Sequence, residues 1–249
     1  MWRLDADAAL PCWRPSPAPE GLTLAFTTRQ GGVSEPPFDS LNLGRSSGDR
    51  EEAVSENRRR ALAALGVPDA RLATAGLVHG AGVAEVREPG HVPDCDALLT
   101  RERGLALAVT TADCLALLVT APGTVAVAHC GWRGTAAGLP RQVAGACCAA
   151  AQAGAREITV HLGPCIRPCC YEVGPEVARQ FPASVSTVVE GRHRLDLAKA
   201  ARLQLLECGI PPEAILDTGA CTSCEPAWYF SHRRDGNRYG RLWALVARS

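Results

Sequence analysis

The chain has 249 residues, and its 26 basic and 26 acidic side chains give a formal net charge of zero. That balance excludes attachment to nucleic acid or to a membrane surface through bulk charge, and 47% hydrophobic against 21% charged residues excludes a disordered chain. Twelve cysteines are many for this length and call for disulfide, metal or redox chemistry.

The first residues, MWRLDADAALPCWRP, place acids and a proline where an export signal has an unbroken apolar core. The expected compartment is therefore the cytoplasm, where structural disulfides are rare. A chain of this length also builds a core without such staples. No segment supplies the roughly 18–20 apolar residues of a membrane span. The nearest, 104–121, is interrupted by Asp113.

In chain order, residues 1–20 form an extended N-terminal segment whose proline-rich part, 11–19, is expected to wrap the surface. Residues 22–28 read as a strand. The stretch GGVSEPPFDSLNLG, 31–44, is a long loop rich in turn formers, of the kind that carries function. Residues 51–65 predict a helix with Ala53, Val54, Ala61, Leu62 and Leu65 on one face, Asp49 as its cap and Gly66 at its end. Short apolar runs at 75–79, 105–111, 115–120 and 124–129 read as buried strands. A helix is expected over 136–153, a strand over 158–162, a helix from Asp196 to Cys208 stopped by Gly209, and a closing strand over 242–246.

Strands and helices interleave without a boundary, so the fold class is α/β (α+β) in one domain, 1–249. No fixed-period repeat is present. No G-x-G-x-x-G follows a strand and no Walker sequence occurs, which removes support for dinucleotide and P-loop binding.

Three metal-binding residue types stand where strands run out into loops: His79, Cys114 and His129, separated by 35 and 15 residues. Those gaps are too wide for a zinc finger but suit ligands delivered by neighbouring strands. A His₂Cys set gives Zn²⁺ three ligands and leaves a fourth position for water or substrate, as in catalytic sites. The same residues fit a second chemistry, with Cys114 as nucleophile and His129 as its base in a Cys/His hydrolase.

Further motifs surround them. They are GGVS (31–34), SLNLG (40–44), ENRR (56–59), VHG (78–80), TADC (111–114) and GWRG (131–134). YEVG (171–174), Cys221-Thr222, SHRRDG (231–236) and Gly240-Arg241 complete the series. In this order, from about Phe26 to nearly the C-terminus, they resemble the YfiH family. Its members were first named polyphenol oxidases or laccases and are now regarded as purine nucleoside phosphorylases with adenosine deaminase activity.

The resemblance implies a layered sandwich of mixed β-sheets with flanking helices, and one Zn²⁺ bound by His79, Cys114 and His129. It implies purine nucleosides and phosphate as partners: adenosine, inosine, guanosine and 5′-methylthioadenosine cleaved to base and ribose 1-phosphate, and adenosine deaminated to inosine. Copper is the alternative metal under the older family name. The chain's six histidines are too few for a multicopper oxidase, although one copper ion could still be held. A non-catalytic metal-binding module is a further alternative. Neither nucleic acid nor membrane is an expected partner, and a monomer or small homo-oligomer is expected. Two positions depart from the family's usual pattern: Leu77 replaces a Gln before Val-His-Gly, and Cys130 replaces an Ala after the second ligand histidine.

Phosphorolysis needs cationic donors for phosphate and hydroxyl-binding groups for ribose. Arg58 is the phosphate candidate, Ser40 and Asn42 are candidates for phosphate or ribose, and Arg133 either reaches the anion or stacks on Trp132. Deamination needs a proton shuttle. Asp113 is the candidate, or else it orients a ligand histidine; Glu35 is the weaker alternative. His232 could line the pocket, while Arg233, Arg234, Asp235 and Arg241 read as an ion-pair network. Cys165, Cys169, Cys170, Cys221 and Cys224 could hold a second, structural metal, form a redox pair, or be inert buried thiols.

Overall fold

The computed structural model describes residues 1–67 and 71–249. Its strands in chain order are β1 (Trp2–Asp5), β2 (Cys12–Pro15), β3 (Leu22–Thr27), β4 (Leu72–Ala75), β5 (Val83–Glu85), β6 (Gly90–Val92), β7 (Ala97–Thr100), β8 (Ala106–Thr111), β9 (Leu115–Ala121), β10 (Thr124–Cys130), β11 (Thr159–Leu162), β12 (Glu172–Val173), β13 (Ser186–Val189), β14 (Arg192–Leu195), β15 (Ile215–Asp217) and β16 (Leu242–Arg248). The α-helices are α1 (Glu51–Leu65), α2 (Trp132–Ala136), α3 (Leu139–Ala151), α4 (Pro175–Ala178), α5 (Leu197–Glu207) and α6 (His232–Asp235).

One sheet runs β1-β2-β3-β16-β8-β4-β6 and a second runs β15-β11-β9-β10-β7-β5, with a small third sheet, β12-β14-β13. Both large sheets are mixed. In the first, β16 pairs antiparallel with β3 and β8, whereas β4 pairs parallel with β8 and β6. In the second, β9 and β10 are antiparallel while β11 and β15 are parallel.

The period of two along each strand sorts side chains between layers. On β8, Leu107 and Val109 join the core between the sheets, while Ala106 and Ala108 face the core that α1 covers with Ala61, Leu62 and Leu65. On β9, Ala116 and Leu118 point into the inter-sheet core, while Leu115, Leu117 and Val119 face the core covered by α3 and α5. The result is four layers, helix–sheet–sheet–helix, consistent with the expected α+β sandwich. The central strands β8, β9 and β10 are buried on both faces, which is why the sequence shows unbroken apolar runs there.

Several local expectations change. The N-terminal segment does not simply wrap the surface: β1 and β2 pair antiparallel and extend the first sheet through β3. The strand expected at 75–79 ends at Ala75, because His79 adopts a φ of 58° and leaves extended geometry. The helix expected over 136–153 is two helices. Gly138 breaks it with a φ of 85°, and Pro140 sits in the first turn of α3, where its missing N–H costs nothing.

Asp49 does not cap α1. Its carboxylate accepts instead from Ser34 Oγ at 2.6 Å and Asn42 Nδ2 at 3.0 Å, fastening the 31–44 loop. The other two helix signals hold. Asp196 accepts from the Lys199 backbone N–H at 2.9 Å, and Gly66 closes α1 at a φ of 69°.

Candidate active site

The turn between β8 and β9 carries the chain from one sheet to the other. Asp113 takes a φ of 86° there, and Thr111 Oγ1 donates to the Cys114 carbonyl. Cys114 thereby reaches the end of the second sheet beside His129, which lies on β10 opposite Ala116. His79 arrives from the first sheet on the irregular segment after β4. Its ring meets that of His129 edge-on at 4.9 Å. The ligand atoms of His79, Cys114 and His129 all lie within 4.8 Å of one another. The expected triad is thus assembled where the two sheets meet at one end.

A residue the sequence reading missed holds it together. Asp96, fully buried before β7, lies with Oδ1 3.0 Å from His129 Nδ1. It also accepts the backbone N–H groups of Val78, His79 and Gly80, at 3.3, 3.0 and 2.7 Å. One carboxylate therefore orients the His129 ring and clamps the positive-φ turn that presents His79. With Nδ1 of His129 engaged by Asp96, Nε2 is left for a metal. The only sequence signal is an acid in Asp94-Cys95-Asp96 directly before an apolar run.

Electrostatics couples the cluster. Burial alone raises the Cys114 thiol, but the adjacent imidazoles of His129 and His79 more than offset it, and its pKa falls to about 6. Burial lowers His129, yet Cys114 and Asp96 outweigh it and hold its pKa at about 9. Without a metal the pair is therefore a thiolate and an imidazolium at neutral pH.

Two glycines make room. A Cβ on Gly131 would stand 3.3 Å from both Cys114 Sγ and His79 Cδ2. A Cβ on Gly134 would stand 2.4 Å from the Gly80 carbonyl oxygen, so α2 packs against the His79 turn only without a side chain there.

The triad lies in a cavity of about 420 Å³, whose wall includes Leu77, Asp113, Trp132, Arg133, Tyr171, His232, Arg233, Tyr239 and Arg241. Three guanidinium groups stack on aromatic rings of this wall: Arg133 on Trp132 at 4.3 Å, Arg233 on Tyr171 at 5.4 Å and Arg241 on Tyr239 at 4.0 Å. Among the described residues none of these three arginines forms a salt bridge, whereas Arg234 pairs with Asp235 at 2.7 Å. The expected ion-pair network is thus confined to Arg234 and Asp235, and Arg233 and Arg241 face the cavity instead. His232 lines it as expected, with Nδ1 2.8 Å from the Tyr239 hydroxyl.

The remaining candidates divide between the cavity wall and the 31–44 loop. Asp113 does not orient a ligand histidine. Its carboxylate accepts from Thr222 Oγ1 at 2.6 Å, Ser231 Oγ at 3.0 Å and the Arg233 N–H at 2.7 Å. These three donors tie the C-terminal motif to the β8–β9 turn. Ser40 Oγ accepts from Gly32 N–H and donates to the Arg29 carbonyl. Asn42 is fully buried, bonded to Ser47, Asp49, Gly44 and Arg241. Arg58 Nε donates to the Leu43 carbonyl at 2.9 Å, and its guanidinium covers Trp243. None of Ser40, Asn42, Arg58 or Glu35 lines the cavity. Of the arginine candidates only Arg133 does, and it also stacks on Trp132 as the alternative reading held.

Residues 23–249 match the family described as multi-copper polyphenol oxidoreductase laccase. The purine nucleoside phosphorylase YlmD of Geobacillus stearothermophilus is 37% identical over 268 residues, covering 100% of this chain and 97% of that protein. Its crystal structure superposes with a TM-score of 0.92, covering 100% of this chain and 98% of that one. The purine nucleoside phosphorylase YfiH of Escherichia coli is 38% identical, covering 95% of this chain and 97% of that protein. The chain belongs to the YfiH family. The solved YfiH protein of Bacillus licheniformis has the same architecture, with a TM-score of 0.93 at 31% identity and coverage of 100% and 99%.

Both departures from the usual YfiH pattern have a place in this structure. Leu77 lies on the cavity wall, so an apolar group stands where the family's amide usually does. Cys130 points away from the ligands into the core beneath α3. Among the described residues no helix is long and apolar enough to cross a membrane.

Proposed function

We propose that the chain is a zinc-dependent purine nucleoside phosphorylase. It takes adenosine, inosine, guanosine and 5′-methylthioadenosine with phosphate to free base and the ribose 1-phosphate product, and it also deaminates adenosine. The observation that carries the reading is a His₂Cys set within a cavity bordered by three arginines that lack carboxylate partners among the described residues. Guanidinium groups on a cavity wall whose charge no carboxylate neutralises are suited to a polyanion. The names of the YfiH and YlmD relatives supply the nucleoside.

The donor set fits Zn²⁺ better than copper. One thiolate and two imidazoles suit a three-ligand zinc site. A blue-copper site normally adds a weak axial Met, and the only methionine here, Met1, is 90% exposed. His79, Cys114 and His129 would hold the ion, and it would supply Lewis-acid polarisation of a substrate oxygen or of water.

The chain's own residues do the rest. Arg133, Arg233 and Arg241 gather phosphate and offset its repulsion from the electron-rich purine. As the N-glycosidic bond breaks, positive charge develops on the ribose and the attacking phosphate stabilises it. His232, hydrogen-bonded to Tyr239, is the proton donor to the departing base. Asp113 fixes the backbone of Arg233 and so the position of that arginine. The cationic wall also keeps the cavity selective for an anion despite a net charge of zero.

The test is product analysis. Metal-loaded protein is incubated with inosine and with adenosine, with and without phosphate, and the products are separated. Phosphate-dependent base release together with ribose 1-phosphate supports phosphorolysis, and inosine from adenosine supports deamination. Absence of both from metal-loaded protein removes the reading.

One observation favours a second reading. A Cys114 thiol at about 6 beside His129 is also what a Cys/His hydrolase requires. Metal content of Cys114→Ala separates the two: loss of the ion identifies a ligand, and retained ion with lost activity identifies a nucleophile.

A further inference from the structure

A second group of soft ligands lies outside the cavity. Cys169 and Cys170 precede β12, and Cys221 and Cys224 form a C-x-x-C turn some fifty residues later. The fold brings all four sulfurs within 4.8 Å of one another. Individual Sγ–Sγ separations are 3.6 Å for Cys169–Cys221, 3.5 Å for Cys169–Cys224 and 3.3 Å for Cys170–Cys224.

These distances have a geometric meaning. Zn–S bonds of about 2.3 Å in a tetrahedron place sulfurs about 3.8 Å apart. A disulfide brings two sulfurs to about 2.05 Å and leaves other sulfurs no reason to gather. Here each of Cys169 and Cys224 faces two other thiols, and all four are free. Four thiolates at this spacing repel one another unless a cation sits among them. Cys165, the fifth cysteine of the sequence cluster, is buried and outside the group.

Backbone donors gather at one of the four sulfurs. The Arg167 backbone N–H donates to Cys221 Sγ at 3.4 Å, and those of Ser223 and Cys224 lie close to the same sulfur. The Cys221 N–H itself donates to Glu225 Oε1 at 3.2 Å. Three arginines bond the backbone of the two cysteine segments, and each is also paired with a carboxylate: Arg167 with Asp217, Arg194 with Glu172 and Arg234 with Asp235. Arg234 donates to the carbonyls of Thr222 and Ser223 at 2.8 and 3.2 Å, Arg194 donates to that of Cys169 at 3.5 Å, and Arg167 donates to that of Ala220 at 3.1 Å.

We propose that Cys169, Cys170, Cys221 and Cys224 bind one Zn²⁺ in a closed tetrahedral site that is structural and separate from the His79–Cys114–His129 centre. Four protein ligands leave no position for substrate, so its role is to staple two segments. Both segments serve the cavity: Tyr171 follows Cys170 and lines it, and Thr222, inside the C-x-x-C turn, donates to Asp113. The second ion therefore sets the shape of the wall on which Arg233 stacks.

Zinc equilibrium dialysis with metal analysis tests this. Wild type should hold two equivalents and Cys169→Ser/Cys224→Ser one. His79→Ala/His129→Ala should keep the second equivalent, which separates this site from the catalytic reading. Cobalt-loaded wild type should show the intense thiolate-to-metal absorption of a tetrathiolate ion. If the cysteine variant does not fold, the wild-type count and the cobalt spectrum decide alone. The proposal is overturned if zinc-saturated wild type holds a single equivalent that His79→Ala/His129→Ala removes. It is equally overturned if the second equivalent survives the cysteine substitutions, or if non-reducing mass analysis of zinc-saturated protein shows these four thiols as disulfides.

Discussion

Asp96 Oδ1 lies 3.0 Å from His129 Nδ1, and the same carboxylate closes the turn that presents His79. Two of the three proposed ligands thus depend on one buried acid outside the His79–Cys114–His129 set. Asp96→Asn keeps the shape but removes the charge and one acceptor. Loss of such a partner lowers metal affinity roughly 10–100-fold. Competition with a chromophoric chelator measures this, and Asp96→Glu should not restore it, because the longer side chain displaces the 78–80 turn.

Gly134→Ala reaches the same centre by packing. The added Cβ would meet the Gly80 carbonyl oxygen at 2.4 Å, so either α2 or the His79 turn must move. The expected outcome is weaker zinc binding with little change in overall secondary structure, read by chelator competition and circular dichroism.

The Cys114–His129 pair gives metal binding a pH dependence. With Cys114 near 6 and His129 near 9, the thiolate is present at neutral pH while the imidazole is protonated. A metal needs the neutral imidazole, so a proton competes with it. As pH rises toward about 9 that competition falls, and affinity should rise roughly tenfold per pH unit between neutrality and that point. Affinity that stays constant over this interval contradicts the pairing.

Arg233→Ala and Arg241→Ala test the anion site. Each removes a guanidinium that lacks a carboxylate partner among the described residues. A hydrogen bond to a charged group is worth about 1.5–3 kcal/mol, so the KM for phosphate should rise roughly 10–100-fold. The KM for the nucleoside should change less, and steady-state kinetics with each substrate varied separately shows the split.

His161 makes the fold acid-sensitive. It lies buried with its ring edge-on to Trp2 at 5.3 Å and Nδ1 without a partner among the described residues. Burial, with the N-terminal ammonium nearby, lowers its pKa to about 4. The unfolded chain therefore binds a proton first, and stability falls as pH drops from about 6.5 to about 4, by up to about 3 kcal/mol. Denaturant titrations of wild type and His161→Leu at both ends of that window should show a shallower loss in the variant.

Much of this was legible in the sequence because of how the strands are buried. The runs around Leu107, Leu117 and Val127 are apolar on both faces, so they announce themselves. The short β1–β2 hairpin does not, since Cys12-Trp13-Arg14-Pro15 is too brief and too close to prolines. The His79–Cys114–His129 cluster is legible through its motifs. Asp96 was not, because an acid before a strand looks like a turn until the fold shows what it touches. The SHRRDG segment reads as ion pairs, yet only Arg234 and Asp235 pair, and topology alone turns Arg233 toward the cavity. Ser40 and Asn42 carry the right donors for a ligand, but Ser40 gives its hydroxyl to the Arg29 carbonyl and Asn42 gives its amide to Ser47 and Asp49.

In the proposed reaction phosphate, not water, is the acceptor of the ribose. Zinc-loaded protein given inosine and isotope-labelled phosphate should form ribose 1-phosphate with the label retained in the oxygen bonded to C1′, and hypoxanthine in equal amount. Unlabelled free ribose formed at the same rate without phosphate would contradict it.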